Sequence, residues 1–235
     1  MKIAILGTGM VGQGLALVLQ ATGHQVTIGT RDVAASLANT EANAYGMSSF
    51  GVWLKDHAGI NVATFADAAQ FGELLINATN GAVSLEVLRL AKLETVGNKV
   101  LIDIANDLDM SQGMPPLSRG TDVPGAGLGE KIQAAYPNVR VVKTLNTMNA
   151  QVMANPGLVA GGDSTVFMSG NDVDAKLTVQ GILQAFGWKD IMDLGDISTS
   201  RATEMLLPIW LRVWGVMGQT PYNFKIAHQA TQVNL

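Results

Sequence analysis

The residues most able to do chemistry stand at the start of the chain, where Gly7-Thr8-Gly9-Met10-Val11-Gly12 spells Gly-x-Gly-x-x-Gly. That spacing suits phosphate binding rather than acid–base work. Gly7 permits a tight turn, Gly9 lets the backbone approach a pyrophosphate, and Gly12 lets a helix pack closely on a strand. The helix start adds free N–H groups and a partial positive charge. A second pair, Thr30-Arg31, follows roughly 20 residues on, where an NAD-binding unit carries an acid for the ribose 2′-OH. A hydroxyl and a guanidinium suit a 2′-phosphate instead, because arginine offers a planar fork of donors. The pair favours NADP over NAD. Asp32 is either a late ribose-binding acid or the N-cap of the next helix, and we read it as the cap.

Neutral hydrogen-bonding groups recur at three further places: Asn77-Ala78-Thr79-Asn80, Ala105-Asn106-Asp107, and Asn146-Thr147 with Asn149. They suit a carboxamide, ribose hydroxyls and a ring bearing carbonyls. They supply no strong general base, so no catalytic residue is singled out. Hydride transfer between two heteroaromatic rings needs stacking, distance and exclusion of water more than it needs a proton donor. An alcohol dehydrogenase would want a Lys, His or Tyr acid. Lys143 is a cation just ahead of the last run; it could neutralise phosphate or polarise a carbonyl, but we expect it to snorkel to solvent from a strand end. Asp103 and Asp107 are expected in capping or turn roles. Trp210 and Trp214 lie one helical turn apart, the spacing of a core or subunit-interface pair. No Gly-x-Ser-x-Gly elbow or phosphate-loop lysine is present.

Strands and helices alternate around these groups. Apolar runs at 3–6, 25–29, 61–65, 73–77, 99–104 and 139–145 read as strands, the last two β-branched as buried parallel strands should be. Helical spacing starts after residue 12 and recurs at 66–71, 83–93 and 128–136, with a short packed helix around Phe50, Trp53 and Leu54. A second cycle follows: strand 165–169, helix 173–186, strand 190–194, then a closing helix at 199–217. This alternation predicts an α/β protein of Rossmann type, a doubly wound parallel sheet with a small C-terminal α/β domain. The division expected is 1–145 for the nucleotide-binding domain and 146–235 for the C-terminal one. In such sheets ligands lie beyond the C-terminal ends of the strands, where all the polar groups above fall. The stretch 107–127 reads as structureless, either a substrate lid or a long surface excursion.

Composition excludes several classes. The chain has 235 residues, no cysteine, three histidines and a net charge of -4. Disulfides, thiol nucleophiles and thiolate metal sites are therefore out, and His24, His57 and His228 are too far apart to suggest a metal centre. An acidic chain offers no basic surface to nucleic acid. The apolar stretch 205–217 is shorter than the ~20 residues a membrane span requires and contains Arg212. With a strand at the N-terminus and no leader ahead of it, a cytoplasmic protein is expected. The closing helix is apolar around most of its circumference, which predicts a homodimer covering it.

With Gly7 to Gly12, Gly29-Thr30-Arg31 and the run Gly195-Asp196-Ile197-Ser198-Thr199-Ser200-Arg201 in view, the chain resembles the F420-dependent NADP oxidoreductases. The resemblance implies a Rossmann domain, a small C-terminal domain, and a homodimer with a deazaflavin in the cleft between the domains. It also implies that Thr8, Thr30 and Arg31 bind the 2′-phosphate end of NADP, with 77–80 and 104–106 bordering the nicotinamide. Asp32-Val33-Ala34 replaces the family's basic cluster after the Thr-Arg pair, and Asn146-Thr147-Met148-Asn149 stands in place of its His-Thr-Ile-Pro-like segment. The run 142–147 resembles the Lys-x-Phe-Asn motif of STEAP-type metalloreductases, whose reductase domain passes electrons from NADPH to a flavin. The expected reaction is hydride transfer between NADP(H) and a small-molecule acceptor, coenzyme F420 or a flavin. A non-catalytic NADP(H) sensor and a small-carbonyl reductase are the alternatives.

Overall fold

The computed structural model describes residues 1–41, 48–109, 111, 113, 117–118 and 126–228. Its first half follows the strand–helix alternation: β1 (Lys2–Leu6), α1 (Met10–Ala21), β2 (Gln25–Thr30), α2 (Val33–Ala38), α3 (Phe50–Lys55), β3 (Ile60–Thr64), α4 (Phe65–Phe71), β4 (Leu74–Asn77), α5 (Gly81–Leu90) and β5 (Val100–Asp103). Then come a two-stranded antiparallel ladder, β6 (Leu108–Asp109) with β7 (Leu117–Ser118), α6 (Leu128–Ala135), β8 (Arg140–Thr144) and α7 (Ala150–Ala154). The chain continues through β9 (Thr165–Gly170), α8 (Val173–Phe186), β10 (Asp190–Asp193), α9 (Ser200–Met205) and α10 (Leu207–Val216).

One eight-stranded sheet runs β10-β9-β8-β5-β4-β1-β2-β3. Its central strands β1, β4 and β5 are largely apolar because both faces are covered. Alternate residues serve opposite cores: Ile3, Ile5, Leu74, Ile76 and Ile102 pack with Leu15 and Leu19 of α1, while Ala4, Leu6, Leu75 and Leu101 pack with Leu88 of α5 and Ile132 of α6. That period-two division is what a twice-buried parallel strand requires.

The sheet departs from the all-parallel expectation at a single pair, β8 with β9, which is antiparallel. Between these two strands α7 and two 3-10 turns, Pro156–Leu158 and Ala160–Gly162, carry the chain, and it re-enters the sheet at the end it left. The 14-residue α8 is long enough to cross, and β10 runs parallel to β9. Both strands of the second cycle thus extend the first sheet instead of forming one of their own.

The expected 199–217 helix is present as two pieces, α9 and α10, parted at Leu206. Pro208 has no N–H to give the carbonyl of Glu204, so the ladder is interrupted there. Leu207 and Trp210 are buried, whereas Met205, Ile209 and Val216 stand exposed on the single chain. Trp210 stacks on Trp214 and on Tyr222, with ring centroids 6.0 and 5.4 Å apart. Of the stretch expected to be structureless, the described part contains the β6–β7 ladder. The lid expectation falls on 110, 112, 114–116 and 119–125, outside the described residues.

Candidate functional site

The turn between β1 and α1 has the shape its glycines allow. Gly7 sits at φ +121°, a left-handed backbone disfavoured for other residues, and a Cβ there would lie 2.6 Å from the carbonyl oxygen of Ala78. A Cβ on Gly12 would lie 2.3 Å from the Gly7 carbonyl oxygen, so the helix could not approach the turn with any other residue. Around Gly9 the opposite holds: an added Cβ meets nothing within 4 Å. That open space, at the start of a 12-residue helix with no side-chain cap and no acid in its first turn, fits a pyrophosphate. Gln13 braces the turn, donating from Nε2 to the Thr8 carbonyl at 2.9 Å.

Gly7, Thr8 and Gly9 share a cleft of about 300 Å³ with Thr30, Arg31, Ala78, Thr79 and Asn80. Eight of the expected site residues thus converge there. Arg31 is exposed, and Asp32 is the N-cap of α2, its carboxylate accepting from the Ala35 amide at 2.9 Å. The acid that could have held a ribose is engaged with its own helix. Thr30 is buried, its hydroxyl paired with that of Ser36 at 2.6 Å. One donates to the other, so one hydroxyl hydrogen of the pair remains for a ligand. Met10 turns away to a separate apolar groove with Leu17, Trp53 and Ala150, and Val11 packs against the core.

The remaining expected residues lie at the ends of β4, β5 and β8. Asn106 and Asn146 tie two of these ends together: Asn106 Nδ2 donates to the Asn146 carbonyl at 2.8 Å, and Asn146 Nδ2 to Asn106 Oδ1 at 3.0 Å. Ala105 is buried beside them. Asn77 is fully buried and works inward, donating to Asp103 Oδ1 at 2.8 Å and to Ser84 Oγ at 3.1 Å. Its own Oδ1 accepts from the Thr79 hydroxyl at 2.7 Å, and Asn80 caps α5 through the Ala82 amide.

Lys143 corrects one expectation and Asp103 goes beyond another. Lys143 does not snorkel; it is 1% exposed. Its ammonium donates to Asp103 Oδ2 at 2.8 Å and to the Ala105 carbonyl, and lies 3.2 Å from Glu204 Oε1. Asp103 makes a turn contact, its Oδ1 accepting from the Ala105 amide at 3.3 Å, and is in addition the buried, in-register neighbour of Lys143 on the adjacent strand. Burial pulls the ammonium's pKa down, yet Asp103 and then Glu204 outweigh it, and the group is held above the ordinary lysine range. Glu204, also buried, accepts from the amides of Leu128 at 2.8 Å and Gly129 at 3.0 Å, capping α6. Sequence reasoning missed Glu204, although a lone carboxylate in an otherwise apolar helical stretch was the available signal. Asp107, expected to cap or turn, has a buried Oδ1 without a hydrogen-bond partner.

Residues 2–107 match the model of a family described as NADP oxidoreductase, coenzyme F420-dependent. A crystal structure of a candidate F420-dependent NADP reductase from Arthrobacter sp. FB24 superposes with a TM-score of 0.91 at 51% identity, covering 97% of this chain and all of that one. The F420-dependent NADP reductase of Methanocaldococcus jannaschii is 27% identical over 89% of this chain and 90% of its own. The rat metalloreductase STEAP3 is 25% identical over 89% of this chain but only 38% of its own length.

Proposed function

For a chain that belongs to the F420-dependent NADP oxidoreductase family, and is thereby an NADP-dependent oxidoreductase, we propose hydride transfer between the nicotinamide of NADP(H) and a deazaflavin or flavin ring. The observation that carries this reading is the chemistry of the strand-end edge. On the nicotinamide side, at Thr79, Asn80, Ala105, Asn106 and Asn146, the groups are amide, hydroxyl and backbone, while Lys143 is sealed beneath and balanced by Asp103 and Glu204. A carbonyl acceptor would need a proton delivered as hydride arrives. A ring acceptor brings its own electron sink, leaving the protein to bind, orient and exclude water.

The residues divide that work. The amides at the start of α1 and the open backbone at Gly9 receive the pyrophosphate; Arg31 and the Thr30–Ser36 hydroxyl pair take the 2′-phosphate. Thr79, Asn80, Ala105, Asn106 and Asn146 border the nicotinamide. NADP(H) supplies the hydride or accepts it when bound. We read 146–235 as the C-terminal unit and the exposed apolar side chains of α10 as a homodimer surface, in a cytoplasmic protein. No described helix is long and apolar enough to cross a membrane.

The test is turnover. Purified protein is mixed with NADPH and, separately, with oxidised F420, FMN and a small aldehyde, following loss of NADPH absorbance. Oxidation with either ring and not with the aldehyde is the expected result. Binding of NADPH without oxidation by any ring would overturn the proposal in favour of a nucleotide sensor.

A further inference from the structure

Most buried ion pairs can be replaced by apolar side chains at little cost, so a buried lysine with two carboxylates calls for a reason. Here the reason lies in where the hydrogen bonds end. Asp103 receives Lys143 on Oδ2, and on Oδ1 it receives Asn77 Nδ2 at 2.8 Å and the Ala105 amide at 3.3 Å. Asn77 in turn receives Thr79 through both its hydroxyl, at 2.7 Å, and its amide, at 3.4 Å. Lys143 also holds the Ala105 carbonyl directly. Apart from the contact with Glu204, these links lead from the buried ammonium to the loops at the ends of β4 and β5, and Thr79 lines the nucleotide cleft. Glu204 is stabilised separately by the amides at the start of α6.

We propose that Lys143 is a positioning residue that sets the nicotinamide-side wall of the cleft from beneath, through Asp103, Asn77 and Thr79 and through the Ala105 carbonyl, without itself touching the nucleotide. The proposal rests on the NADP(H) reading above. It makes the two halves of the nucleotide respond differently. The adenosine half meets the glycine turn, Thr30 and Arg31, which share the cleft with Thr79 but take no hydrogen bond from the lysine's chain. The nicotinamide half meets the loops the lysine holds.

Calorimetric titration with NADPH and with adenosine 2′,5′-bisphosphate tests this. In Lys143→Met the Kd for NADPH should rise about tenfold or more while that for the bisphosphate stays within about twofold. Asn77→Ala breaks the same chain without stranding a charge and should show the same split, so it decides the matter should Lys143→Met not fold. Parallel losses for both ligands, or no loss for either, in Asn77→Ala would overturn the positioning role. A wild-type protein that binds neither ligand would overturn the nucleotide reading and this inference with it.

Discussion

Gly9 and Gly12 share one motif but should fail in different ways when given a methyl group. At Gly12 the new Cβ would sit 2.3 Å from the Gly7 carbonyl oxygen, against an ordinary contact of 3.4 Å or more. The obstructing atom is backbone, and Gly7 cannot retreat because it lies against the Ala78 carbonyl at φ +121°. Overpacking costs about 1–3 kcal/mol, and an unyielding neighbour places Gly12→Ala at the upper end. At Gly9 the methyl enters open space, and the backbone at φ -74° is one alanine adopts freely. The only apo-state cost is the poorer N-cap, about 0.5–1 kcal/mol. Once pyrophosphate occupies that space the methyl is in its way. Urea unfolding without ligand, followed by NADPH titration, separates the two. Gly12→Ala should lower the midpoint markedly. Gly9→Ala should hold close to wild type and lose about tenfold or more in affinity, equivalent to about 1.4 kcal/mol. Equal destabilisation by the two variants, or normal NADPH binding by Gly9→Ala, would refute the assignment of the open space at Gly9 to the nucleotide.

Arg31→Ala removes a charge-assisted contact worth about 1.5–3 kcal/mol, so calorimetry should show roughly tenfold or more weaker NADPH binding with NADH unchanged; equal losses for the two would return the ribose to Asp32. Hydrogen bonding from Arg201, assisted by the Gly127 amide, holds the Glu130 carboxyl below its ordinary range despite some desolvation. A depressed carboxylate stabilises above its unfolded pKa and loses that contribution as pH falls through the folded value. Glu130→Gln should therefore lower Tm at neutral pH, and the gap to wild type should close in acid; a gap independent of pH would count against the ion pair. Trp214→Glu, in the half-covered stack of α10, should shift the protein from dimer toward monomer or aggregate by light scattering, and a wild type monomeric in dilute solution would remove the dimer proposal.

What the sequence alone determined is what a few neighbouring residues can encode. The strand, glycine turn and helix at 2–21 follow from apolar periodicity and from three positions that tolerate no side chain or need none. The cap at Asp32 is a bond to a residue three places on, and the converging strand ends follow from parallel topology. Even the break before α10 was written in Pro208. The fate of Lys143 was not. Its partner Asp103 is 40 residues away and becomes its neighbour only because β5 and β8 lie side by side in that register. Glu204 arrives from a helix whose placement depends on the whole chain between. Whether a lysine in an apolar strand reaches solvent or is sealed depends on what covers its end, and only the tertiary structure supplies that cover. The same limit applies to Asn77, whose amide turns into the protein because Asp103 and Ser84 wait there with acceptors. Local patterns are legible because their hydrogen bonds close over a few residues, whereas buried charges find partners through sheet order and register, which no short stretch of sequence contains.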